Sequence, residues 1–266
     1  MKRVYIHIVG ALALAFGLSS CDKTDGTLYP GEPNKVSFFN VSTSLTMEGG
    51  SISVPVGRTS TSGELSVPVT ISAAGAGYTD IFKMDGPVVF ANGEAKSYAK
   101  VNYGDFSKID PSALSVTLSG TDVIAGLAFP ISLNIPDESL SPSNRKKVDV
   151  LASSILNFGA AATAQLNSEE GWMGDTYGVE VAKSEGANVY KVIKPFGYTS
   201  FAFMIKSDGE TIVCPNQIID NHPSYGPVSM TSVTGKLVDG VVTLNVGAYT
   251  VSAGSFGGGV EIIKLP

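Results

Sequence analysis

The sequence predicts an all-β protein made of two β-sandwich-like domains behind a short N-terminal export segment. Three observations carry this reading. Gly (30 of 266 residues) and Pro (14) are spread along the chain as turn punctuation. Between them, short apolar runs recur with a period of two, as where Ile52, Val54 and Val56 alternate with Ser51, Ser53 and Pro55. After residue 20, no long Ala/Leu/Glu/Lys stretch has a helical period.

The chain opens on Met1-Lys2-Arg3, followed by an apolar stretch from Val4 to Gly17. A positive start, a short apolar core and small residues before a cut site describe a secretory signal over residues 1–20. The apolar run is short of the ~20 residues that span a bilayer. Leu18-Ser19-Ser20-Cys21 resembles the bacterial lipobox. That resemblance implies that Cys21 becomes the acylated N-terminus and ties the protein to a membrane through several acyl chains, each buried CH2 contributing about 0.8 kcal/mol. Residues 21–35 are polar and carry Gly and Pro without periodicity, which reads as a flexible tether. Loss of residues 1–20 removes Lys2 and Arg3 and no acid, so the formal charge moves from −6 to −8. An acidic chain of this kind is a poor partner for nucleic acid.

Residues 36–153 are expected to form the first domain. Leu65, Val67, Val69 and Ile71 alternate with Ser66, Pro68 and Thr70, and Ile131, Leu133 and Ile135 mark a later strand. Gly49-Gly50 and Asn92-Gly93 read as hairpin turns. About seven strands are expected there. Residues 154–266 form the second domain, a sandwich or a barrel-like unit. It is richer in aromatics, with strands marked by Tyr177, Val179 and Val181, by Phe201, Phe203 and Ile205, and by Leu244 and Val246. Asp239-Gly240 and Ser207-Asp208-Gly209 supply turns, and Gly254 to Gly259 reads as a loop.

Residues 36–153 resemble a Calx-β domain. The resemblance rests on Val36-Ser-Phe-Phe39, on Thr46-Met-Glu-Gly-Gly50 leading into a strand that ends at Arg58, and on Gly86-Pro-Val-Val-Phe-Ala-Asn-Gly93. It implies an immunoglobulin-like sandwich. It also implies that acidic loop residues could gather for calcium; the matching positions are Glu48, Asp80 and Asp105, with Asp110 beside them. Ca2+ takes six to eight oxygens. The family's acidic run after the last strand is replaced here by Val150-Leu-Ala-Ser153, so solvated loop carboxylates are the expectation and no cofactor is assigned. From residue 154 on, Gly171-Trp-Met-Gly-Asp-Thr-Tyr177 and Asn188 to Phe196 resemble the C-terminal half of cell-envelope lipoproteins of Bacteroidetes. That resemblance implies an outer-membrane location, and Asp22-Lys-Thr-Asp25, which hints at an acidic surface-export signal, favours the cell surface over the periplasmic face.

Catalytic equipment is sparse. His222 is the one histidine after residue 20, and the stretch Asn221-His222-Pro223-Ser224 reads as a loop without a nucleophile motif. Cys214 has no partner for a disulfide once Cys21 is acylated, and reads as a buried inert thiol. An enzyme is not expected. Trp172, Tyr177, Tyr198 and Tyr225 lie in or beside turn-rich segments and are the candidate ligand-binding residues, since aromatic faces suit the apolar faces of sugar rings; the competing reading buries them in the second core. The expected function is a lipid-anchored cell-envelope protein that binds extracellular glycan. The alternative is a structural or adhesive scaffold that contacts another envelope or host protein and takes no small ligand.

Overall fold

The structure, a computed structural model, describes residues 35–73, 75–138, 140–141 and 145–266. Cys21 and the tether before residue 35 lie outside the described residues. The chain is all-β.

Residues 36–155 carry eleven strands: β1 (Val36–Phe38), β2 (Ser42–Thr46), β3 (Ser51–Arg58), β4 (Leu65–Val67), β5 (Thr70–Ala73), β6 (Phe82–Met84), β7 (Val88–Phe90), β8 (Lys96–Tyr103), β9 (Ala113–Ser119), β10 (Asp122–Asn134) and β11 (Lys147–Ile155). One short helix, α1 (Tyr78–Ile81), precedes β6. The first sheet has the order β1-β3-β8-β6; the second runs β2-β11-β10-β5, with β9 also paired to β10 and β4-β7 as a separate pair. The alternating residues of both sheets face one another to bury Phe38, Val56, Phe82, Phe90, Phe129 and Leu133 completely. Phe129 is the hub, with ring centroids 5.5–5.7 Å from those of Phe106, Phe82 and Tyr78. Burying each such ring contributes about 1.5–3 kcal/mol.

Two local readings of the sequence change here. The alternation from Leu65 to Ile71 is two strands in different sheets, β4 and β5, broken at Pro68, which has no N–H for a ladder. Gly49 and Gly50 adopt φ of 62° and 80° and make the expected tight turn, closed by the antiparallel Glu48–Ser51 bridge, but the strands to either side, β2 and β3, belong to opposite sheets. β2 instead pairs parallel with β11. Arg58 closes this half: it is buried, lies over Phe90, and donates to the carbonyls of Glu94, Thr61, Gly63 and Ala91.

Residues 162–264 carry twelve strands: β12 (Ala162–Asn167), β13 (Thr176–Lys183), β14 (Val189–Ile193), β15 (Phe201–Ile205), β16 (Thr211–Val213), β17 (Gln217–His222), β18 (Gly226–Thr231), β19 (Thr234–Val238), β20 (Val241–Val246), β21 (Ala248–Val251), β22 (Gly254–Ser255) and β23 (Gly259–Lys264). Eight of them close into a barrel, β12-β13-β14-β15-β16-β19-β20-β23, and β17-β18-β21-β22 form a separate four-stranded sheet. Leu166, Val192, Phe201, Phe203, Leu244 and Ile263 fill the barrel. The barrel is closed where β23 pairs with both β12 and β20, which removes the free edges an open sheet would keep.

β15 explains how the two halves are held together. All five of its residues are buried. Phe201, Phe203 and Ile205 point into the barrel core, while Ala202 and Met204 pack on the core of the sandwich. An uninterrupted apolar run is the sequence mark of a strand covered on both faces. Two polar contacts add to it: Lys191 Nζ meets Asp122 Oδ2 at 2.9 Å, and Ser207 N–H donates to Asp110 Oδ1 at 2.7 Å.

Candidate functional site

The site is built at one end of the barrel by three segments: the hairpin β17–β18, the turn that follows β22, and the loop between β12 and β13. In the hairpin, Asn221 and His222 pair with Pro227 and Gly226, so the stretch expected to be a loop is the strand-borne tip of a tight hairpin. Gly226 takes φ of 74° to close it. The register shifts between Ile218 and Asp220. Such a bulge re-aims side chains; here it leaves Ile219 in the core and Asp220 half-exposed, accepting from Trp172 Nε1 at 2.8 Å.

Around this anchor the rings touch in a chain. Trp172 packs against Tyr249 and Phe256, with centroids 5.3 Å from each. Phe256 stacks on His222 at 5.4 Å and meets Tyr225 edge-on at 5.8 Å, and His222 lies 4.9 Å from Tyr225. The outer members are open to solvent: Tyr225 is 49% and Phe256 46% exposed. Between them runs a groove of about 220 Å³ lined by Tyr225, Val251, Ala253, Gly254, Ser255 and Phe256. Pockets that engulf a drug-sized ligand run about 300–1,000 Å³. This one is a shallow shelf for a single ring.

The glycines after Phe256 are there for closeness. A Cβ on Gly259 would lie 2.6 Å from the Glu170 carbonyl and 3.0 Å from the Tyr249 ring, and one on Gly258 would lie 2.5 Å from the Val246 carbonyl. The Gly254–Gly259 segment read as a loop therefore includes β22 and the first residue of β23, and it seats Phe256 against Trp172.

Beneath the rings sits Glu261, completely buried. Its Oε1 accepts the Trp172 N–H at 2.8 Å and the Tyr249 hydroxyl at 2.7 Å. Its Oε2 has no partner in hydrogen-bond geometry, and neither has the buried Tyr177 hydroxyl. Burial pushes the Glu261 carboxyl up from the usual carboxylate range, against the opposing pull of hydrogen bonding from Tyr249, Trp172 and Ser168. Burial, and after it the carboxyl groups of Glu261, Asp175 and Asp220, pushes the Tyr177 hydroxyl up to about 12. Tyr249 is raised by burial and by its bond to Glu261. His222 Nδ1 accepts the Ser224 N–H at 3.1 Å, which places the ring proton of the neutral imidazole on Nε2.

Of the four aromatics expected to bind, the structure brings two together. Tyr225 is an exposed face of the cluster, and Trp172 is its half-buried support. Tyr177 is half-buried with its hydroxyl sealed beside Glu261, packed on the barrel core by the inward phase of β13. Tyr198 is half-buried in the turn before β15 and takes no part in these ring contacts. Phe256 and His222 join the cluster without having been singled out as binders. Phe256 is a large ring set among glycines, a signal of an exposed tip. Glu261 also left a trace, since it falls in phase with the inward Ile263 on β23.

The acidic positions lie apart in use. Asp105 accepts the hydroxyl and N–H of Ser107, bonds that hold its carboxyl below the usual range. Asp110 bonds Ser207, Asp80 lies in α1, and Glu48 flanks the Gly49-Gly50 turn. Among the described residues no three His, Cys, Asp or Glu side chains gather as a metal would require. Cys214 is a buried free thiol pushed up to about 12 by burial, with Gln217 Nε2 donating to its sulfur at 3.3 Å.

No protein-family profile matches the chain, and no curated protein does. Several solved structures are similar in outline. An auxiliary nutrient binding protein from Bacteroides thetaiotaomicron shares 13% identity, covers 89% of this chain and 91% of its own, and superposes with a TM-score of 0.34. A protein of unknown function from Bacteroides ovatus shares 8% identity at a TM-score of 0.34, covering 91% and 92%. The calcium binding domain CBD12 of CALX1.1 shares 12% identity at a TM-score of 0.34, covering 82% and 81%.

Proposed function

We propose that the chain is a lipid-anchored cell-envelope protein that binds an extracellular glycan, holding one sugar ring against Tyr225 and Phe256. The observation that carries this is the cluster itself: two rings, each nearly half-exposed, meet at 5.8 Å over a shallow groove and are backed by Trp172 and His222. Exposed rings on a braced scaffold offer contact area at low conformational cost. Polar edges for sugar hydroxyls stand at the rim, at Ser224, at Ser255 and at the Nε2 proton of His222. A role as binder rather than enzyme is consistent with the same geometry, because Glu261, the carboxyl beneath the rings, is sealed from any substrate. The experiment is a glycan-array screen of the full chain beside Tyr225→Ala and Phe256→Ala. Retention of at least one glycan class that both variants lose supports the reading.

A second reading, a scaffold for another protein, is favoured by a different surface. On the outer face of the second sandwich sheet, Ile124, Leu151 and Ile155 are 47%, 41% and 68% exposed, with Pro130 paired beside Leu151. Flat apolar patches of this kind mark protein contacts. Ile124→Ser with Ile155→Ser would abolish capture of an envelope protein under this reading and leave glycan retention untouched.

A further inference from the structure

We infer that Glu261 is a positioning residue: in its protonated form it holds the Trp172 loop beneath the aromatic cluster, and its ionisation as pH rises releases that loop. The effect on ligand rests on the glycan reading above; the effect on Trp172 does not.

The argument begins with hydrogen-bond accounting. Glu261 has no exposed surface. One oxygen, Oε1, takes the bonds from Trp172 N–H and Tyr249 Oη–H, and the Ser168 hydroxyl stands near the carboxyl as a further donor that favours the charged form. The other, Oε2, faces the interior with no donor in bonding geometry. An ionised carboxylate needs donors on both oxygens or a cation nearby; where it has neither, it takes up a proton instead. A protonated Oε2 becomes a donor, and it needs an acceptor. Tyr177 Oη is the other partnerless buried oxygen at this end of the barrel, and it lies close enough to feel the charge of Glu261. As they stand, the two oxygens are not in hydrogen-bond geometry with each other.

Among the described residues no positive charge acts on the group. β21 presents Tyr249, β13 presents Tyr177, and the loop before β13 presents the Trp172 N–H, Ser168 and the Cα of Gly171. The buried Ser168 lies near the carboxyl but forms no bond to Oε2, and its oxygen accepts the Met173 N–H. Asp175 and Asp220 stand beyond this ring, where their charge acts on the Tyr177 hydroxyl. Lys264, on the same strand, is exposed. His222 stands on the far side of Phe256, stacked on it.

The coupling to the site is short. Glu261 Oε1 holds the Trp172 backbone, Asp220 holds its indole, and the indole packs on Phe256. Gly171 is the hinge-side contact: a Cβ there would lie 2.4 Å from Oε1, so the loop can rest on the carboxyl only through a glycine. A charged Glu261 would draw water or shift away, and the loop with it.

Trp172 is the single tryptophan of the chain, so intrinsic fluorescence reads this loop alone. The expected result on the full chain is one emission transition as pH rises, to a redder and more readily quenched Trp172. Glu261→Gln, neutral at all pH and of the same shape, should keep the low-pH emission throughout, and His222→Gln should keep the transition. A transition in Glu261→Gln with an unchanged midpoint would overturn the inference, because a tyrosine or His222 would then be titrating. An infrared difference spectrum of the wild-type chain between acidic and alkaline buffers keeps the test open even if the Gln variant folds poorly. It should show a protonated-carboxyl carbonyl band lost in step with the Trp172 transition; a carboxylate band already complete in acidic buffer would overturn it. A glycan screen that finds nothing leaves both results unaffected.

Discussion

Trp172→Phe separates the support of the cluster from its face. The change keeps a ring against Tyr249 and Phe256 and removes one bond, from Nε1 to Asp220 Oδ2 at 2.8 Å. A hydrogen bond to a charged group contributes about 1.5–3 kcal/mol. Asp220 and Trp172 are half-buried, so water can partly replace the bond, and the lower end applies. The smaller ring gives up a further ~1 kcal/mol of contact. The total is about 2–3 kcal/mol, and at roughly 2–4 °C per kcal/mol for a chain of this size the melting temperature falls by about 4–12 °C. Circular dichroism is the assay, because the variant has no tryptophan to follow. Tyr225→Ala, at 49% exposure, should cost about 1 kcal/mol or less on the same scale. A Trp172→Phe melting curve that overlays the wild type would refute the claim that this bond ties the β17–β18 hairpin to the loop before β13.

Three further outcomes are expected. Arg58→Lys strands buried carbonyls that the guanidinium satisfies at 2.6–3.0 Å, and should cost about 2–3 kcal/mol in urea denaturation with an unchanged slope. Asp208 is held at about 2 by the Thr211 hydroxyl and by the N–H groups of Thr211 and Glu210. Its contribution is complete above the unfolded value of about 3.9 and is lost as pH falls through about 2, so the stability gap between wild type and Asp208→Ala should close over that window in pH-dependent denaturation. Cys21→Ser should move the protein from the detergent phase to the aqueous phase in phase partitioning; unchanged partitioning would contradict the lipid anchor.

The strands were legible wherever period two met a one-sided core. Ile52, Val54 and Val56 point inward along β3, and Ile131 and Leu133 along β10, as the alternation requires. Leu65 to Ile71 misled because Pro68 lets a strand change sheets without disturbing its alternation. The barrel was less legible than the sandwich, since closure depends on β12 meeting β23, nearly 100 residues apart, and no local pattern encodes that pairing. At the site, composition pointed to the aromatics of the second half but could not sort their faces. Tyr177 and Tyr225 look alike in sequence; one lies on the inward phase of β13 and the other at a hairpin tip. The tip was hidden because the bulge between Ile218 and Asp220 shifts the phase of β17 just before His222. Glu261 was in plain view between Val260 and Ile262, and period two alone would have marked it as buried.

The most direct test of the central claim is affinity electrophoresis of the full chain against a panel of host and plant polysaccharides, run beside the Tyr225→Ala/Phe256→Ala double variant and the Ile124→Ser/Ile155→Ser double variant, each first shown to melt like the wild type. The aromatic cluster as a glycan site predicts that at least one polysaccharide retards the wild-type and Ile124/Ile155 proteins and does not retard the Tyr225/Phe256 variant. Equal retardation of all three proteins, or of none across the panel, would contradict it.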